Sequence, residues 1–129
     1  MKAITIADFL IDNRDNLTHK RLQREVYLIN EIYFRKNNKS LFKENIYKLT
    51  QGPTIKEISR KYIRYGNKPI NLKINHQFNI KDEDRNFLLI MSDILKEKTN
   101  MEINELIQAS TAYKKTSKGK IIDKNLLKE

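Results

Sequence analysis

With 129 residues, 39% hydrophobic content and a mean hydropathy of -0.70, the chain reads as a soluble protein folding into one compact domain. It contains no cysteine, which excludes disulfides, thiolate metal sites and cysteine nucleophiles together. No apolar run approaches the roughly 20 residues that cross a bilayer. Asp8 interrupts the N-terminal stretch where a signal peptide would stay apolar, so a cytoplasmic location and no membrane association are expected.

The net charge of +10 invites a nucleic-acid reading. Lysine, however, supplies 19 of the 26 basic residues, and arginine, the better donor for bidentate phosphate and guanine contacts, occurs seven times. The charge is also uneven. Residues 19–43 carry seven basic and two acidic side chains, residues 56–73 six and one, and residues 110–129 six and two. Residues 74–109 reverse the balance, with four basic and seven acidic. A solvated surface, a basic face for an acidic partner and a polyanion site all fit this asymmetry.

In chain order, Thr5 is placed to cap a short helix over Ile6–Ile11, with Ile6, Phe9 and Leu10 on one face. The polar run Asn13-Arg14-Asp15-Asn16 ends it. Thr18 caps the longest helix, about His19 to Lys36, whose positions Leu22, Val26, Ile29 and Tyr33 recur at three and four. Tyr27, Leu28 and Ile32 widen that stripe, so burial on more than one side is expected. Asn37-Asn38 stops the helix, since Asn tolerates the left-handed backbone of a C-terminus.

Leu41-Phe42 follows, and Asn45–Thr50 has the mixed alternation of an extended segment. Gly52-Pro53 predicts a corner. Thr54 with Glu57 three residues on reads as a capping box opening a helix with Ile55, Ile58, Tyr62 and Tyr65 on one side. Gly66-Asn67 and Pro69 end that helix. Residues 70–80 begin with strand-like alternation and read as an extended connector or one arm of a ribbon. Asp82-Glu83-Asp84 opens a strongly apolar helix through Leu95, closed by Lys96 and Lys98. Another helix runs through Ile103, Leu106 and Ile107. Tyr113–Lys115 and Lys118–Lys120 read as a basic linker, after which Asp123 caps a final turn carrying Leu126 and Leu127. The fold class is mainly α. It is a compact single-domain helical bundle with at most a short β ribbon or extended connectors around residues 45–50 and 70–75.

The inventory for catalysis is thin. His19 and His76 lie in different elements, without the spacing of a two-histidine helical metal site. Three glycines form no phosphate-binding loop, and none of the five serines has a nucleophile-elbow context. Asp82-Glu83-Asp84 offers oxygen ligands for a cation but reads as a solvated helix start. His19, just inside a helix, reads as a structural histidine or a partner contact. No catalytic residue, metal or cofactor is expected.

Leu17-Thr18-His19, Leu22-Gln23 and Tyr27, then Leu41-Phe42, Gly52-Pro53, Tyr62 and Tyr65-Gly66, resemble the core signature of the SocA-like antitoxin family, also called the Panacea domain. Downstream, the acidic-start helix from Asp82 to Leu95, Tyr113-Lys114-Lys115 and the closing Gly119–Asp123 with Leu126 are similar to later elements of that family. The resemblance spans about Ala7 to Lys128. The chain departs from the family pattern at Lys48, Leu49, Gln51, Gln108 and Tyr113, where a small residue, tryptophan, an aromatic, a second histidine and tryptophan are common.

The resemblance implies a single antitoxin domain over residues 1–129. It would bind and neutralise a cognate protein toxin encoded beside it, as a type II antitoxin. A family variant delivers its toxin to a ClpXP-type protease, and family genes are frequent on phages. Two further functions are therefore an accessory protein inhibiting a host defence factor and, from the charge, a nucleic-acid-binding protein. Lys20, Arg24, Arg60 and Arg64 are the basic side chains expected to meet the toxin. Tyr27 and Tyr65 are candidate apolar anchors, with core packing as the alternative.

Overall fold

The computed structural model describes residues 1–74 and 78–129. Its helices are α1 (Ala3–Asn13), α2 (His19–Asn37), α3 (Lys56–Tyr62), α4 (Asp82–Lys96), α5 (Asn100–Ala109) and α6 (Thr111–Lys115). A two-stranded antiparallel ribbon, β1 (Tyr47–Leu49) and β2 (Gly52–Thr54), lies between α2 and α3. The mainly α bundle with one short ribbon is the architecture the sequence leads one to expect. No helix among the described residues is long and apolar enough to cross a membrane.

The bundle is built around α2. Thr18 caps it, its Oγ1 accepting from the Arg21 amide at 3.1 Å, and Asn38 ends it in the left-handed region at φ 55°. Every residue from Glu25 to Glu31 is buried, so this stretch is enclosed on all sides rather than along one stripe. α1, α3, α4, α5, β2 and the C-terminal 3-10 turn over Lys124–Lys128 all pack against it. Tyr27, Phe42 and Tyr62 are the largest fully buried side chains of a single apolar cluster that reaches from Ala3 to Leu127. Burying each such side chain fully contributes roughly 1.5–3 kcal/mol.

The core also contains charge. Glu25 is fully buried and receives both Arg14, at 2.6 and 2.9 Å, and Arg21 Nε, at 2.6 Å. Arg21 then donates to the Leu95 and Lys98 carbonyls, both at 2.8 Å, capping the end of α4. A second buried acid, Asp8, accepts from the Tyr62 hydroxyl at 2.5 Å and the Lys61 ammonium at 2.8 Å, tying α1 to α3.

Several local expectations change. α1 starts at Ala3, earlier than Thr5, because the Glu44 carboxylate accepts the Ala3 amide at 2.9 Å and serves as its cap. The corner falls at Thr50-Gln51 instead of Gly52-Pro53. Gly52, at φ 117°, and Pro53 form the returning strand, with Pro53 opposite Lys48 in an edge position that needs no amide. Thr54 is no cap. Its hydroxyl donates to the Gly52 carbonyl at 3.1 Å, and Ile55 is the residue that precedes α3. The capping box is at Thr99 and Glu102, whose amides and side chains pair reciprocally at 2.9 and 3.1 Å. α3 itself ends at Tyr62 and tightens into a 3-10 turn over Ile63–Tyr65.

Residues 113–115 are not a linker. They belong to α6, and Tyr113 is buried, stacked edge-on against Tyr27 at 6.1 Å between ring centres. The following strand-like segment joins the ribbon: the Lys48 amide donates to Lys120 and the Ile122 amide to Ile46. Asp123 does cap the last turn, accepting from the Asn125 amide at 3.0 Å. Residues 70–74 form neither helix nor strand and are pinned where the Ile70 amide meets the Leu17 carbonyl at 2.6 Å and the Ile74 amide meets Asp12 at 2.8 Å. The rest of the alternation expected over 70–80 includes His76, which lies outside the described residues.

Candidate functional site

Gln23 is the hub of the site. Projecting from α2, its Oε1 accepts the Ile55 amide at 2.9 Å, which fixes the orientation of the side-chain amide. Nε2 therefore points the other way, within 3.1 Å of both the Ile55 carbonyl and Ser59 Oγ and 3.0 Å from His19 Nε2. Ser59 Oγ is itself 3.4 Å from that ring nitrogen. Burial lowers the His19 pKa from 6.5, favouring the neutral ring, and Nε2 accepts from the Gln23 amide nitrogen, which can only donate. One glutamine thus joins α2 to the start of α3 and orients a histidine.

His19 and Gln23 of this cluster also line a cleft of about 300 Å³, together with Lys20, Pro53, Ile63 and Gly66. Four residues of the family-like signature, far apart in sequence, meet there. On the other side of Lys20 lies a second groove of about 390 Å³ between α2 and α5, reaching Arg24, Asn100, Met101 and Asn104. Lys20 is exposed and stands on the ridge between the two.

Arg24 is half-buried beside Gly52. Its Nη2 donates to the Gln51 carbonyl at 3.1 Å, while its Nε is buried without a hydrogen-bond partner. Burial lowers its pKa, opposed by the neighbouring Tyr113. A Cβ at position 52 would approach the guanidinium to 3.2 Å, so glycine there serves close packing as well as the positive φ.

The remaining signature residues are structural. Tyr27, Phe42 and Tyr113 lie in the core. Tyr27 is therefore no surface anchor. Its hydroxyl pairs with Ser110 Oγ at 2.6 Å, and its pKa is pushed above the ordinary tyrosine value mainly by burial. Tyr65 is half-buried against Tyr62, with Arg64 over its ring at 5.6 Å. Lys114 is exposed on α6. Arg60 and Arg64 are exposed on α3 and its 3-10 extension and wall neither groove, so only Lys20 and Arg24 of the four expected basic contacts share a groove.

Sequence reasoning did not single out Ile63, Asn100, Met101 or Asn104, and named Gln51 only as a departure from the family pattern. Two of them carried a signal. Ile63 falls outside the 55, 58, 62, 65 stripe, and Met101 sits off the face of Ile103 and Ile107. Such out-of-stripe apolar residues point to solvent. No family model, no curated protein and no solved structure matches the chain.

Proposed function

We propose that the chain is a cytoplasmic, non-catalytic antitoxin of a type II toxin–antitoxin system that neutralises a toxin encoded beside it by binding it. The observation that carries this reading is the meeting of His19, Gln23, Pro53 and Gly66, all from the SocA-like signature, around one open cleft beside an exposed lysine. Gln23, His19 and Ser59 are occupied in joining α2 to α3, a role that suits a rigid binding platform better than a reacting centre. The basic surface would speed encounter with an acidic toxin, while apolar contacts would set most of the affinity. Delivery of the bound toxin to a ClpXP-type protease is a variant that uses the same first step.

Co-expression tests the reading. The product of a neighbouring gene should arrest growth, and this chain should restore it. Absence of rescue across the neighbouring genes contradicts the proposal. A chain that relieves no neighbour but blocks a host defence protein is instead the accessory inhibitor. The net charge of +10 also favours a polyanion-binding reading, which requires tight DNA or RNA binding that weakens steeply with salt.

A further inference from the structure

We propose that the two grooves flanking Lys20 form one docking site for an extended partner segment whose acidic centre crosses the α2 ridge and whose apolar side chains settle on either side. The inference rests on the chain being a protein binder and names the chemistry of what it binds.

Three observations point to such an occupant. First, Lys20, Arg21 and Arg24 line the α2–α5 groove and Lys20 the α2–α3 cleft, yet among the described residues no carboxylate lines either. The first turn of α2 carries no acid either. Arg21 is satisfied by Glu25, but Lys20 is exposed with no carboxylate partner among the described residues, and Arg24 keeps a buried Nε donor unpaired there. A buried donor without a partner is costly and is relieved when an acceptor reaches it. Here that requires the guanidinium to shift away from Gly52 toward an incoming carboxylate.

Second, the two most exposed large apolar side chains among the described residues are Met101 at 72% and Ile63 at 63%. One belongs to each groove, on opposite sides of Lys20. Their placement is amphipathic in the order apolar, cationic, apolar. A matching ligand alternates apolar, acidic and apolar groups.

Third, side-chain amides stand in both grooves: Asn100 and Asn104 in one, Gln51 and Asn67 in the other. Amides both donate and accept, as an extended peptide backbone requires. A DNA backbone offers acceptors only, and the sugar-phosphate backbone of either nucleic acid would leave the exposed apolar pair unused, so a peptide fits better.

The test uses the full chain, isotopically labelled, with a fluorescent dodecapeptide alternating Asp and Leu, the same peptide with Asn for each Asp, and an oligo-thymidine strand. At low salt the acidic peptide should bind and move the amide signals of Lys20, Arg24, Ile63 and Met101, while the Asn peptide should bind at least about tenfold more weakly. Lys20→Glu and Met101→Glu, both at exposed positions, should each weaken binding about tenfold, and Lys118→Glu, outside both grooves, should not. No binding, equal loss in Lys118→Glu, or tighter binding of oligo-thymidine than of the acidic peptide overturns the proposal. Growth rescue without peptide binding removes this docking site and leaves the antitoxin reading standing. Peptide binding at the grooves without rescue by any neighbour does the reverse.

Discussion

Arg14 grips Glu25 through two parallel hydrogen bonds of 2.6 and 2.9 Å inside the bundle, where Glu25 has no solvent exposure. A planar guanidinium matched to a carboxylate is the strongest geometry available to such a pair, and Arg21 adds a third bond to the same acid. The arrangement fixes the loop after α1 against α2 and, through Arg21, the α4–α5 corner. Glu25→Met would strand Arg14 in the core and should cost about 3–5 kcal/mol. Adding Arg14→Met should recover part of that loss, because Arg14 is no longer stranded and Arg21 keeps its Leu95 and Lys98 carbonyl acceptors. Urea unfolding of both variants checks the order.

The Asp8–Tyr62 contact gives a separate expectation. Burial first, and then the hydrogen bond to Asp8, pushes the Tyr62 hydroxyl well above the ordinary tyrosine range. Tyr62, like the buried Tyr27, should remain protonated at alkaline pH where exposed tyrosines ionise, visible as at least two tyrosines missing from an ultraviolet titration, one of which Tyr62→Phe should account for. Asp8→Ala leaves that hydroxyl without its acceptor and should cost about 1–3 kcal/mol in denaturant unfolding.

His19 gives the chain a pH dependence of known sign. Its pKa falls on folding, through burial, from the ordinary 6.5. Between the two values the unfolded chain holds a proton that the folded chain does not, so stability rises with pH across that window. His19 therefore contributes no penalty above about pH 7, a growing one as pH drops below 6.5, and a constant one below the folded value. A His19→Asn variant should lose this component. Subtracting its urea midpoints from those of the wild type over mildly acidic pH isolates it, and a flat difference would contradict the burial of the His19 ring.

Gly52→Ala should destabilise by about 1–2 kcal/mol, since alanine resists a positive φ. The new methyl would also press on Arg24 at 3.2 Å. The same change should loosen the Arg24–Gln51 bond, readable as a shift of the Gln51 amide signals.

Helix 2 was legible because its cap, its three-and-four spacing and its Asn terminator are all local. The acidic start of α4 is legible for the same reason. Thr54–Glu57 and Thr99–Glu102 show the limit. Both satisfy the capping-box spacing, yet only the second forms it: Thr54 is drawn into the returning strand, its hydroxyl donating to the Gly52 carbonyl, and Ile55 takes the cap position. The strand pairing that recruits Thr54 leaves no trace in a four-residue pattern. Tyr113 was misplaced similarly: flanking lysines suggest solvent, while Tyr27 and the ribbon provide the pocket that buries it. Glu25, by contrast, carried a sequence signal, since it interrupts the apolar stripe between Leu22 and Ile29 with Arg21 one turn earlier. The cleft could not be read at all from spacing, because Pro53 and Gly66 reach His19 only through the tertiary fold.

The central claim is neutralisation by stoichiometric binding. Titrating the purified chain into a fixed amount of the neighbouring gene's toxin, with residual toxicity as the readout, tests it most directly. The account predicts a sharp endpoint at a fixed molar ratio that moves in proportion to the amount of toxin. Complete neutralisation at a small fraction of that ratio, continuing with time, would mean turnover and would contradict it.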